Sequence, residues 1–268
     1  METAPKDVLF TIAMNSELPA LLRWCQSNKR INRKICGNED VWRAKLLKDY
    51  PDYDENNFKL GLSPKETYVF MYQLSYIKKL LDKDESLYGI FRRGILNFSN
   101  KKLMKIPSFN LPNLQNLTLN NNQLTEIPQF NLPNLEYLSL NGNKLKEVPN
   151  FNLPKLQYLY LNDNQLTEVP NFNPPNLEYL YLNRNKLSKV PAFNLPKLSS
   201  LEIYMNQLTE IPEFELPNLT YLNLFNNQLP EVPPLKLPKL VHLFLHVNPL
   251  TEKSKKEIKK RYGNKVML

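Results

Sequence analysis

The chain has 268 residues, 35 Lys and Arg against 26 Asp and Glu, a formal net charge of +9 and two cysteines. That length allows one or two domains, and two cysteines do not make a disulfide scaffold, so a reducing compartment is the default. No apolar run approaches the roughly 20 residues of a membrane span and no secretory leader is visible, so an intracellular, cytoplasmic protein is expected.

The first ninety residues read as helices. Residues 5–14 place Val8, Leu9 and Ile12 on one side. Ser16 is a candidate cap for the next helix, where Leu18, Leu21, Leu22 and Cys25 recur at helical spacing. Ile31 and Ile35 mark a short third helix stopped by Gly37. Asn38 caps a fourth that carries Val41, Trp42 and Leu46 and ends at Tyr50-Pro51. Ser63-Pro64-Lys65-Glu66 is a capping box with proline at the first helical position, and Phe70, Leu74, Ile77 and Leu81 trace the apolar stripe that follows. This helix is expected to pack on the first repeat and join the two parts of the chain, with the boundary in residues 83–89.

Between Ala4 and Leu47, about one sixth of the chain, Pro5, Val8-Leu9, Ile12, Leu18-Pro19, Leu21-Leu22, Cys25, Ile31, Ile35 and Trp42 follow in an order that resembles the F-box. The Asn- and Lys-rich style is similar to F-box-like heads on repeat proteins of large DNA viruses. The resemblance implies docking onto a Skp-type adaptor of a cullin ubiquitin ligase, through Pro5, Leu9, Ile12, Pro19, Leu21 and Leu22. It also implies an intracellular viral protein acting in an infected eukaryotic cell. The other reading is that these residues form only the private core of a helical cap.

From residue 90 the text becomes periodic. Leu-Pro or Pro-Pro begins at Leu111, Leu132, Leu153, Pro174, Leu195, Leu216 and Leu237, each 21 residues after the last. One unit, Leu111 to Asn131, reads LPNLQNLTLNNNQLTEIPQFN. Leu117 and Leu119 alternate as in a short strand with both leucines inward. Asn122 opens a column through Asn143, Asn164, Asn185, Asn206, Asn227 and Asn248, whose amides must find partners where the strand turns. Phe109, Phe130, Phe151, Phe172, Phe193 and Phe214, then Leu235, form a second column read as core. Pro112 and Pro128 disfavour an α-helix on the convex side. The frame LxxLxLxxNxLxx(I/V)Px(F) resembles the leucine-rich repeat. A constant period means a solenoid, because one unit cannot bury its apolar face alone.

The expected architecture is therefore a small all-α head over 1–62, a connecting helix and linker over 63–89, about eight repeats over 90–250 and a basic capping helix over 251–268. The first repeat is degenerate, with Lys101 in the Asn position. Eight strands at roughly 4.8 Å give a parallel concave sheet on the order of 35–40 Å long. The charge excess concentrates in the cap, where residues 251–268 hold seven basic and two acidic side chains, with Glu252 and Lys256 at i,i+4. A charged face on a capping helix is usually only solvated.

Residues flanking the inward leucines face outward, and every 21 residues they superpose. One column holds Asn116, Tyr137, Tyr158, Tyr179, Ser200, Tyr221 and His242; the next Thr118, Ser139, Tyr160, Tyr181, Glu202, Asn223 and Phe244; the third Asn120, Asn141, Asn162, Asn183, Tyr204, Phe225 and His246. Such aromatic clusters suit protein binding, although rings can also stack merely to support the sheet. Tyr158, Tyr160, Tyr179, Tyr181 and Tyr204 are the expected centre, flanked by Asp163, Arg184 and Glu202.

No cofactor site is written in the chain. His242 and His246 are roughly 13 Å apart on an extended strand and cannot share one metal ion, and the six glycines are scattered. The IPxFNLP wording resembles bacterial effector ligases that add a catalytic-cysteine domain, but no cysteine follows Cys36, so an enzyme is not expected. The expected function is a non-catalytic receptor that holds an unknown target protein on the concave face and delivers it to a ubiquitin ligase. The alternatives are a plain interaction scaffold and, disfavoured by the sparse basic residues of the concave columns, nucleic-acid binding.

Overall fold

Helix starts follow their caps. A computed structural model describes residues 6–27, 29–81, 85–171 and 173–268, and the chain divides into one unit ending at Phe91 and another beginning at Arg92. The first unit runs α1 (Lys6–Asn15), α2 (Leu18–Ser27), α3 (Lys29–Ile31), a π-helical turn over Asn32–Cys36, α4 (Glu39–Asp49), α5 (Glu55–Phe58), α6 (Pro64–Leu81) and α7 (Leu87–Phe91). Asn38 accepts from the Asp40 amide at 3.0 Å, and Glu66 Oε2 accepts from the Ser63 amide at 3.0 Å, closing the expected box. Ser16 does not cap α2: the first helical bond runs from the Leu21 amide to the Glu17 carbonyl at 2.9 Å, which puts Glu17 in the cap position, and the Ser16 hydroxyl instead donates back to the Ile12 carbonyl at 2.8 Å.

The head has its own core. Leu9, Leu21, Ile35, Trp42, Met71 and Leu74 are each buried, and the Trp42 indole donates to the Cys36 carbonyl at 2.9 Å. α6 belongs to this core through Tyr68 against Trp42 (5.6 Å between centroids) and Phe70 against Phe91 (5.6 Å). The buried Lys45 ammonium pairs with Asp49 at 2.9 Å and donates to the Met14 carbonyl at 3.3 Å, which Lys48 also reaches at 3.0 Å. Two cations thus close the carbonyl end of α1, where the helix dipole favours positive charge. Cys25 and Cys36 form a disulfide with 6.0 Å between their Cα atoms, contrary to the reduced pair expected from the sequence. The π-helical turn folds back on α2 and brings the two thiols together, so cysteine usage no longer points to a reducing compartment.

In the second unit each repeat contributes one three-residue strand: β1 (Ile95–Asn97), β2 (Asn116–Thr118), β3 (Tyr137–Ser139), β4 (Tyr158–Tyr160), β5 (Tyr179–Tyr181), β6 (Ser200–Glu202), β7 (Tyr221–Asn223) and β8 (His242–Phe244). They pair in parallel and in sequence order, each residue with the one 21 positions later, as in Leu117 with Leu138. Leu117, Leu138, Leu159, Leu180, Leu201, Leu222 and Leu243 have no exposed surface. The described members of the Phe column are buried, with Phe109 against Phe130 at 5.3 Å and Phe193 against Phe214 at 6.3 Å; Phe172 lies outside the described residues. The convex side is turns and extended chain, as the prolines require.

The Asn column joins each coil to the one before it. Asn164 Oδ1 accepts from the Leu145 amide at 3.1 Å, while its Nδ2 donates to the carbonyls of Leu140 (3.0 Å), Leu161 (3.1 Å) and Asn162 (3.2 Å). The pattern recurs at Asn122, Asn143, Asn185, Asn206 and Asn227. The residue before each Asn is left-handed: Asn121, Gly142, Asp163, Arg184, Met205, Asn226 and Val247 all have φ between 51° and 65°. This column was not anticipated; Gly142 is its one glycine.

The C-terminal cap forms as expected, with one addition. α8 (Glu252–Tyr262) starts at Thr251, whose hydroxyl accepts from the Ser254 amide at 3.1 Å, and buries Ser254 and Ile258. Glu252 pairs with Lys255 at 2.7 Å, one residue short of the expected Lys256, because an i,i+3 pair also lies on one helix face. After Gly263 the chain reverses, and β9 (Val266–Met267) adds to β8 and covers the sheet edge.

Two stability outcomes follow. Asn164→Ala strands a buried amide and buried carbonyls; at about 1–3 kcal/mol for each unsatisfied group the total loss is expected to be about 3 kcal/mol or more. Denaturant titration of the full chain checks this, and hydrogen exchange should show the Leu145 amide losing protection first. Val247 is 63% exposed yet β-branched at φ 57°, so Val247→Asn is expected to stabilise by about 1 kcal/mol, read as a higher thermal midpoint.

Candidate functional site

The pleat places two side chains of each strand outward, so seven coils build a wall from three columns. All nine expected rings, Tyr137, Tyr158, Tyr160, Tyr179, Tyr181, Tyr204, Tyr221, Phe225 and Phe244, lie on it and are half-buried. They pack along the sheet: Tyr158 stacks on Tyr179 with centroids 4.9 Å apart and planes 9° from parallel, and Tyr160 meets Tyr181 edge-on at 5.0 Å. Tyr137 closes this group against Tyr160 at 5.3 Å. Ring pairs of this kind contribute about 0.5–1.5 kcal/mol each. Support of the sheet and an open outer surface therefore coexist in the same side chains.

The expected centre is divided. Tyr204 does not join Tyr158, Tyr160, Tyr179 and Tyr181; it pairs with Phe225 at 6.5 Å, in a second group that holds Tyr221 and Phe244 at 5.2 Å and Phe225 and His246 at 4.3 Å. The cause is β6, where Ser200 and Glu202 carry no ring. His242 and His246 were not expected to act in this way; they extend the second group as aromatic surfaces. Among the described residues no group of three or more His, Cys, Asp or Glu could hold a metal ion.

Electrostatics follow from burial. Burial first, then the neighbouring phenols of Tyr137, Tyr181, Tyr158 and Tyr179, push the Tyr160 phenol up to about 12. Tyr181 and Tyr221 are raised by burial as well, with the charge of Glu202 adding to both. Burial also raises Glu202 itself. Arg184 stands at the wall's margin, 3.8 Å from Asp163, with both side chains more than half exposed, so this pair contributes little to stability.

A polar track runs beside the rings. Asn120 Oδ1 accepts from the Asn141 amide and Asn141 Oδ1 from the Asn162 amide, both at 2.9 Å. The relay then stops: Asn162 Oδ1 and Asn183 Oδ1 are buried and have no donor.

In the head the six adaptor candidates separate. Leu9 and Leu21 are 0% and 1% exposed and offer no surface, because helical spacing sets them with Ala13, Leu18 and Cys25 on the inner face. Pro19 is exposed, Ile12 and Leu22 are half-buried, and Pro5 lies outside the described residues. Phe10, 38% exposed, is an outer apolar residue that the Val8-Leu9 reading passed over.

Sequential parallel strands, inward leucines and an amide ladder define a leucine-rich-repeat solenoid, a fold typical of protein–protein interaction. The family model for leucine-rich repeats (two copies) matches residues 133–174, 175–216 and 217–255. Among solved structures, InlP of Listeria monocytogenes is 27% identical with a TM-score of 0.58, over 72% of this chain and 67% of that one. YopM of Yersinia enterocolitica WA-314 is 25% identical with a TM-score of 0.50, over 67% of this chain; the match spans 52% of YopM, about half its length. No curated protein matches the chain. No helix among the described residues is long and apolar enough to cross a membrane.

Glu202 supplies the pH prediction. A carboxyl whose folded pKa is raised binds more protons folded than unfolded, so stability falls as pH rises through that range. Glu202→Gln is expected to raise the thermal midpoint at neutral pH, with the gain shrinking to nothing below the ordinary glutamate range. A midpoint difference independent of pH would contradict this.

Proposed function

We propose that the chain is a non-catalytic protein-binding receptor whose aromatic wall holds a target protein and whose helical head docks onto a Skp-type adaptor of a cullin ubiquitin ligase. The observation that carries the first half is the wall itself: nine rings on one sheet face, packed side by side yet half open. Rigid rings give large contact area at low entropic cost, which is why binding hot spots use them. The second half rests on the F-box resemblance and on the outward apolar residues Phe10, Ile12, Pro19 and Leu22. One observation favours a second reading, an interaction scaffold with no ligase link: Leu9 and Leu21 are spent on the head's private core.

Co-purification of the full chain with a Skp-type adaptor separates the two. The ligase reading expects a complex that Phe10→Ser plus Pro19→Glu weakens about tenfold or more while helical content stays unchanged. No complex with the unaltered chain would leave the scaffold. For the wall, Tyr158→Ala plus Tyr160→Ala is expected to abolish target capture by a chain that still melts cooperatively; unchanged capture would move the target elsewhere.

A further inference from the structure

The wall is interrupted at one coil. Along the first column Tyr137, Tyr158 and Tyr179 give way to Ser200 before Tyr221; along the second, Tyr160 and Tyr181 give way to Glu202. Among the described residues, ring pairs run from Tyr137 to Tyr181 and resume at Tyr204 and Tyr221, and none crosses β6. The result is a notch floored by Ser200, which is 7% exposed, with Tyr181 of β5 on one side and Tyr221 of β7 on the other. Two strand spacings, roughly 10 Å, separate the strands that carry these rings. The Ser200 hydroxyl donates to the Tyr181 phenol across this space, so a side chain that enters between the two rings displaces that contact.

Glu202 stands in this notch and carries the only formal charge in the three outward columns of β2 to β8. Among the described residues its carboxylate has no ion pair and no side-chain hydrogen bond, and the nearest charge to Arg184 on the adjoining coil is Asp163, at 3.8 Å. The titratable groups that face it are the phenols of Tyr181 and Tyr221, with Tyr204 beside Tyr221. Asn183, 4% exposed, ends the polar track on the neighbouring coil with Oδ1 unpaired. Every unsatisfied polar group here is an acceptor, and the flanking surfaces are aromatic. A carboxylate set among rings is suited to a cation that also donates hydrogen bonds. The whole chain is basic at +9 and repels cations, so attraction of one must arise locally, within the screening length of about 8 Å.

We propose that the target segment held on this wall inserts one lysine or arginine side chain into the notch between Tyr181 and Tyr221, where Glu202 receives its charge. The proposal rests on the wall being the target-binding surface. In the free protein Glu202 is a half-buried charge without a counter-ion, which costs stability; residues that act in binding are often retained at such a cost.

Random twelve-residue peptides displayed against the immobilised full chain test this. Peptides selected on the native chain are expected to be enriched in Lys or Arg at one position and to lose about tenfold in affinity on Glu202→Gln. Replacing that Lys or Arg by Gln should remove the difference between the two chains, and the residue that dominates tells guanidinium from ammonium. Peptides that need Tyr158 and Tyr160 but ignore Glu202→Gln would overturn the notch and leave the wall. Peptides indifferent to Tyr158→Ala plus Tyr160→Ala, or no selected peptides at all, would overturn both.

Discussion

One carboxamide per coil holds the solenoid together. A strand of three residues is too short to hold a turn by ladder bonds alone, and although the turn's side chains are open to solvent, several of its backbone groups lie in the interior. Asn164 meets four backbone groups there, on its own coil and the preceding one. Six further asparagines do the same work along the column. With the turn satisfied, the leucines can sit in an interior without water, and the pleat then sends their neighbours outward at fixed spacing. The aromatic wall is thus the other half of the alternation that makes the core.

On the proposed reading that surface both supports the sheet and meets a target. Stacking between Tyr158 and Tyr179 orders both rings before any partner arrives, which lowers the entropy lost on binding. The same stacking costs exposure, since each ring keeps only part of its surface open. β6 breaks the pattern by placing a small residue and a carboxylate where rings would otherwise continue. A wall of rings alone would hold many apolar segments; an unpaired charge within it adds discrimination among them.

The repeats were legible because period carries more information than composition. Columns of Leu, Asn, Phe and Tyr superpose every 21 residues, so the inward or outward place of each could be read from one unit. What escaped were features that do not repeat or that lack a residue signature. The left-handed column holds seven residues of six kinds, and only Gly142, Asn121, Asp163 and Asn226 belong to types that favour that conformation. The division of the ring cluster at β6 is written in the columns, but neighbours in a column need not touch, and Tyr204 pairs with Phe225 rather than with the rings of β4 and β5. In the head, motif order marked Leu9 and Leu21 without telling inside from outside. The Cys25–Cys36 bond depends on a π-helical turn that no local propensity announces. The strand β9 is two residues long, below what alternation can reveal.

The amide of each asparagine reaches backward. Leu145 waits for Asn164, nineteen residues further along, and Leu166 waits for Asn185. A nascent chain leaving the ribosome therefore cannot finish any coil until the next has emerged, and assembly during synthesis trails elongation by one turn of the spiral. The final coil has no successor; there the Thr251 amide donates to the Pro230 carbonyl at 2.9 Å, and the closing segments α8 and β9 end the queue.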